Sequence, residues 1–201
     1  MIKRIALLAV ILLAISIPLR ADSWRFDKAH SHVGFSVRHM VISNVVGEFN
    51  DFDGKVEFDG QNVEAGSVEV TVQMASINTA NTNRDDHLKS PDFFDIEKNS
   101  TMTFKSKKIT KPGADGAFTI VGDLTMKGVT KEVTLTGAFN GMVTDQRGNT
   151  RAGFSATTTI NRQDFGVAWD NKLQDGSLVV SNEVKINLEI EMVKVKPPEK
   201  G

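Results

Sequence analysis

Apolar and polar residues alternate with a period of two along most of the chain, and no other feature constrains its fold so tightly. Val33, Phe35 and Val37 alternate with Gly34, Ser36 and Arg38, and Val68, Val70, Val72 and Met74 alternate with Glu69, Thr71 and Gln73. Phe118, Ile120, Leu124 and Met126 share a phase, as do Val133, Leu135 and Phe139; Phe154 and Ile160 share one with Ala152, Ala156 and Thr158. The pattern is clearest at Val184, Ile186, Leu188, Ile190 and Met192. Successive side chains on a strand point to opposite faces, so each run predicts a strand with one dry and one wet face. Between the runs, Asp53-Gly54, Asp59-Gly60, Asp115-Gly116, Lys127-Gly128, Arg147-Gly148 and Asp175-Gly176 place glycine where a turn needs positive φ. Roughly eight to ten strands joined by such turns predict an all-β, mainly antiparallel sheet that closes or folds over to hide its edges.

Three stretches depart from the alternation. At the start, Lys3 and Arg4 precede an apolar run from Ile5 to Ile17, and Pro18 and Ala21 follow it. That reads as a secretory signal peptide over residues 1–21, too short for a stable membrane span, and it predicts a periplasmic destination. Its removal takes away Lys3, Arg4 and Arg20 and moves the formal charge from −1 to −4. That charge disfavours nucleic acid and anionic surfaces as partners. In the middle, Asn83 to Phe94 holds a polar, charged run ending in Ser90-Pro91-Asp92-Phe93-Phe94. Ser90 followed by Pro91 reads as an N-cap and first helical position, so one or two short helices are expected there. At the end, residues 194–201 with Pro197-Pro198 read as a flexible polar tail, leaving 22–193 as one domain. The chain has no cysteine, and a domain of this size can bury a core without disulfides.

A closed sheet with an apolar interior is either filled by its own side chains or hollow enough for an apolar ligand. Gly122, Gly137, Ala152 and Ala156 lie in phase with the large apolar residues and are expected to thin the filling. Phe35, Met74, Phe104, Leu124, Leu135, Phe154 and Ile186 are expected to face inward. With Val33, Val37, Met102, Ile160 and Phe165 they make up the expected lipid-contacting set.

Several segments stand out when taken together. They are Asp27-Lys28-Ala29-His30-Ser31-His32-Val33, Phe35-Ser36-Val37-Arg38-His39-Met40, Gly47-Glu48-Phe49, Arg84-Asp85-Asp86-His87-Leu88-Lys89-Ser90, Phe93-Phe94-Asp95 and Phe104-Lys105-Ser106. Gly122-Asp123-Leu124-Thr125-Met126-Lys127-Gly128-Val129-Thr130-Lys131 and Asn161-Arg162-Gln163-Asp164-Phe165-Gly166 complete the series. As a set these segments resemble the YceI-like family of periplasmic polyisoprenoid-binding proteins. Asn99-Ser100 departs from the Tyr-Pro pair common in such proteins. The resemblance spans essentially the whole chain after the leader. It implies an extended, lipocalin-like antiparallel β-barrel that holds a long isoprenoid chain, an isoprenoid quinone or a fatty amide along its axis. The lipid is a non-covalent ligand, and no separate cofactor, metal or catalytic residue is expected. A homodimer is compatible with such folds but has no signature here.

A lipid head group must meet water or hydrogen-bonding partners. Arg38, His39, Arg84, Asp85, Asn161 and Arg162 are the candidates, at strand ends or in the non-strand insertion, and the alternative is that they brace loops through pairs such as Arg84–Asp85 and Arg162–Asp164. His30 and His32 invite a metal reading, but no Cys and no helical His-x-x-x-His accompanies them; bonds to loop backbone explain them. Asp27, His30 and Ser31 hold triad residue types inside one loop, with no Gly-x-Ser-x-Gly elbow. Lys127 to Lys131 has too few glycines for a phosphate loop, and Trp169 is either a lid or an aromatic plug. The rival readings are an enzyme acting on a lipid head group at the barrel mouth, and a structural or stress-response protein whose barrel is filled.

Overall fold

The computed structural model describes residues 22–60, 62–110 and 116–196. The leader expected over 1–21 and the tail from 197 onward lie outside the described residues. The strands are β1 (Asp22–Phe26), β2 (His32–His39), β3 (Ser43–Phe49), β4 (Phe52–Phe58), β5 (Ser67–Gln73) and β6 (Ile77–Asn78). After helix α1 (Thr82–Lys89) come β7 (Thr101–Ile109), β8 (Ala117–Met126), β9 (Val129–Thr144), β10 (Thr150–Asn161) and β11 (Val180–Lys194). Lys194 pairs with Trp24, so the ordered domain runs past the expected boundary at 193.

Every pairing is antiparallel, and eight strands form a closed ring in the order β1, β4, β5, β7, β8, β9, β10, β11 and back to β1. The other three strands lengthen staves of that ring. β1 and β2 lie end to end along β11, interrupted at residues 27–31, and β3 and β4 run end to end beside them. β5 and β6 continue each other across a 3-10 turn at Met74–Ser76. The sheet is therefore a barrel extended at one end by β2, β3 and β6. Eleven strands replace the eight to ten expected, because three staves are each broken once.

Five of the expected turn glycines have positive φ; Gly54 does not, and lies inside β4. A Cβ there would sit 2.1 Å from the carbonyl oxygen of Glu69 on β5, so close backbone approach requires the glycine. Gly122 and Gly137 do not hollow the barrel as expected. A Cβ on Gly122 would lie 2.5 Å from Cζ of Phe104, and one on Gly137 would lie 2.8 Å from Cζ of Phe118. The space that each glycine vacates is taken by an aromatic ring lying across it.

Helix α1 starts earlier than Ser90-Pro91 suggests. Asn81 is its N-cap, the side chain accepting from the backbone N–H of Arg84, and Ser90 is its C-terminal cap. Pro91 lies just beyond the helix end, where its missing N–H costs no intrahelical bond. The loop after the helix drops Phe93 onto Leu124, Met126, Ile160, Phe165 and Val167, closing the barrel at that end. Lys127 Nζ donates to the Phe93 carbonyl at 2.5 Å and ties the loop to the β8–β9 turn. The larger apolar cluster, including Trp24, Phe26, Phe52, Val56 and Phe58, lines the body and closes the opposite end of the barrel.

Candidate functional site

The inward faces enclose an almost wholly apolar cavity of about 190 Å³. Strands β4, β5, β7, β8, β9, β10 and β11 all contribute to its wall, because their apolar residues lie in one phase. Seven of the twelve lipid-contacting residues expected from the sequence are on that wall: Val33, Met102, Phe104, Leu124, Leu135, Phe154 and Ile186.

The other five lie elsewhere. Phe35 packs its ring against Phe49 at 5.7 Å in the extension of the barrel, and Val37 lies beyond it, opposite Val184 and Val45. Met74 is fully buried in the 3-10 turn between β5 and β6 and belongs to the main core. Ile160 and Phe165 pack into the cluster that closes the helix end. Period-two phase identifies the inner face but not the height along the barrel axis, and these five share the face while lying outside the lumen. The wall also holds Phe52, Val56 and Phe58 of β4 and Val63 of the following 3-10 turn. They were missed because Asp53-Gly54 reads as a turn and splits an alternating Phe52–Phe58 run.

Four of the six head-group candidates commit their side chains to neighbouring protein groups, Asn161 caps a turn, and the His39 side chain makes no hydrogen bond or ion pair among the described residues. Arg38 donates to the Val41 carbonyl and to Asn44, and His39 pairs with Val180, both beside the β2–β3 hairpin. Arg84 and Asp85 form no ion pair with each other. Both converge on Thr79: Arg84 donates to its hydroxyl and carbonyl at 2.8 Å, and Asp85 accepts from its N–H at 2.9 Å and its hydroxyl at 2.5 Å. Asn161 caps the 3-10 turn Arg162–Phe165, accepting from Gln163 N–H. Arg162 is 4% exposed and does not pair with Asp164. Its guanidinium donates to the carbonyls of Val167 (2.6 Å), Ser181 (3.0 Å) and Val180 and to the Asn182 side chain, and burial lowers its pKa.

The histidines of the first loop bond carboxylates and not backbone. His30 Nδ1 lies 3.1 Å from Asp27, and His32 Nδ1 lies 2.8 Å from Glu48. Asp27, His30 and Glu191 bring metal-type donor atoms within 4.8 Å of one another. The guanidinium of Arg151 already bridges that group, at 2.6 Å from Asp27, 2.5 Å from Glu191 and 3.0 Å from Asp145. These bonds hold the Asp27 and Asp145 carboxyls below the usual range, through Arg151 first for Asp27 and the Asn149 N–H first for Asp145. Ser31 Oγ donates to the Glu191 carbonyl and accepts from its N–H, so it faces a strand backbone and not His30. Trp169 lies 5.3 Å from Phe93 and 5.8 Å from His87, ring to ring, and plugs the helix end.

An eight-stranded closed barrel with a dry lumen and one helix packed at its end is the lipocalin-like class of fold, in which the interior either is filled or holds an apolar ligand. The chain belongs to the YceI-like domain family, whose pattern matches residues 24–192. It is 38% identical to a UPF0312 protein of Pectobacterium atrosepticum over 89% of this chain and 94% of that protein. It is 41% identical to a UPF0312 protein of Ectopseudomonas mendocina over 75% of this chain and 79% of the other. Among solved structures, the YCEI protein of Campylobacter jejuni superposes with a TM-score of 0.69 at 34% identity, over 85% of this chain and 96% of that one. A polyisoprenoid binding domain from Saccharophagus degradans shares the fold at 13% identity, with a TM-score of 0.65 over 86% of this chain and 98% of that domain.

Proposed function

We propose that the protein binds the tail of a long-chain isoprenoid or similar amphiphilic lipid in the lumen of the barrel, for storage or transport in the periplasm. The observation that carries this reading is the dry cavity inside a closed ring of strands. A lumen with almost no polar wall selects for a hydrocarbon chain, since burial is worth about 25 cal/mol per Å² of apolar surface and a polar group there finds no partner. The YceI-like family and the polyisoprenoid-binding fold relative support the same class of ligand. The positively charged and apolar segment over residues 3–17 supports export.

The cavity, at about 190 Å³, is smaller than the roughly 300–1,000 Å³ of sites that hold drug-sized ligands. A long tail therefore has to displace side chains, and the aromatic rings on the wall, Phe104, Phe118 and Phe154, are the ones to move. The test is a solvent extract of protein purified under non-denaturing conditions, run on a mass spectrometer. A stoichiometric isoprenoid or amphiphilic lipid is expected, and removing it is expected to lower the melting temperature. No lipid in the extract and equal melting before and after delipidation would mean a barrel filled by its own side chains.

A further inference from the structure

The ring of strands is not zipped along its whole length. The β9–β10 ladder runs from Thr144–Thr150 to Thr136–Thr157 and ends there. Beyond that point β9 continues to Val129, paired only with β8, and β10 continues to Asn161, paired only with β11. The facing edges of Val129–Leu135 and Thr158–Asn161 thus leave a seam in the barrel wall, bounded at its far end by the 3-10 turn Arg162–Phe165. A cleft of about 390 Å³ occupies the seam, lined among others by Lys131, Thr134, Thr158, Thr159, Asn161 and Asp164. Val133 and Thr158 line this polar cleft and also the apolar lumen, so the two spaces adjoin across one pair of side chains.

Lys131 is the informative residue. Its cross-strand partner is Leu124, a buried lumen residue, so Lys131 is in phase with the inner face of the barrel. Lys131 is nevertheless exposed, because the unzipped seam opens that face to solvent, and among the described residues its side chain makes no hydrogen bond or ion pair. Its neighbour Glu132 is in the opposite phase, 3.3 Å from Lys107. Asp164 also lacks an ion pair, so the cleft offers one free ammonium and one free carboxylate. Three threonines, Thr134, Thr158 and Thr159, and the unladdered N–H and C=O groups of both strands complete its polar surface.

We propose that the seam is a lateral portal that seats the head group of the lumen lipid, and that the head it takes is a small uncharged hydroxyl. A hydroxyl can accept from Lys131 and donate to Asp164 or a free carbonyl, whereas an anionic head would face Asp164 and the strand carbonyls. The proposal rests on the tail lying in the lumen. It makes the β9–β10 seam, not either end of the barrel, the place where the lipid meets water.

The chain has no cysteine, so a single introduced thiol can carry a fluorophore. Gln163→Cys places it beside the seam, and Ala65→Cys places it at the end opposite the helix. The probe is a C20 prenyl alcohol that keeps its hydroxyl and carries a fluorescence-quenching bromine on the double-bond carbon nearest to it. Strong quenching at position 163 and little at 65 is expected. Equal quenching at both, or quenching at 65 alone with the probe bound, overturns the portal and leaves the lumen reading standing. Failure of the probe to co-elute with either labelled protein overturns both. In unlabelled protein, Lys131→Met should weaken geranylgeraniol about tenfold and leave a C20 hydrocarbon unchanged, while Lys131→Arg retains most of the affinity. Equal losses for alcohol and hydrocarbon would make Lys131 a structural residue and refute its role at the head group.

Discussion

Replacing Phe154 by alanine separates a hollow barrel from a filled one. Its ring lies on the lumen wall and meets three others, Phe139 at 5.1 Å, Phe58 at 5.9 Å and Phe118 at 6.1 Å. Truncating a fully buried phenylalanine costs about 3–5 kcal/mol, through lost transfer free energy and the cavity left behind. Phe154 is only partly buried because one side already faces the lumen, so the cost in lipid-free protein is about 2–3 kcal/mol. For a domain of this size that is roughly 5–10 °C in Tm. In loaded protein the tail can occupy the vacated space, and most of that loss should vanish. Chemical denaturation of delipidated and lipid-saturated Phe154→Ala protein, beside the unsubstituted chain, gives the four free energies of the cycle. Saturation at a hundred times Kd itself adds about 2.7 kcal/mol to the unsubstituted protein. A loss in Phe154→Ala that is the same with and without lipid would refute the reasoning, because the tail would then not lie against this ring.

The other expectations concern the polar scaffold around the lumen. Arg162→Met should cost about 2–4 kcal/mol in urea denaturation, because it strands the buried Val167 carbonyl and the half-buried carbonyls of Val180 and Ser181. A loss of binding with full stability would instead make Arg162 a ligand contact. The Asp27 and Asp145 carboxyls are depressed in the folded protein, so their contribution is complete above the unfolded carboxyl pKa near 4 and is lost as pH falls through the folded values. Acid titration should therefore destabilise the protein below about pH 4, and Arg151→Met should flatten that slope. An unchanged slope would show that other carboxyls govern acid unfolding.

Much of the barrel was legible in the sequence because strand periodicity is local. Side chains two residues apart share a face whatever the rest of the chain does, so the inward phase of Phe104, Leu124, Leu135, Phe154 and Ile186 could be read directly. The turn at Lys127-Gly128 was equally local, since both residues have positive φ. Height along the axis was not local. Phe35 and Phe154 carry the same pattern, yet one packs in the extension of the barrel and the other lines the lumen, because only strand stagger determines which level a residue reaches. Gly54 shows the same limit: its neighbours suggest a turn, and the reason for the glycine is the Glu69 carbonyl on another strand.

The polar residues divide in the same way. The types at Arg84, Asp85 and Arg162 were plain from the sequence, but their partners are a threonine and three carbonyls, one in a loop and two at the start of β11, brought close by tertiary packing. Lys131 attracted notice only as one end of a turn, and its place on the inner face follows from pairing with Leu124. The sequence by itself determined which residues could form strands and which face of each had to be dry, since both follow from backbone geometry and the cost of exposing hydrocarbon to water. Tertiary structure alone decided where the ring closes, where it stays unzipped and how much of the dry face remains empty, because register, stagger and side-chain volume are properties of strands that meet only after the chain has folded.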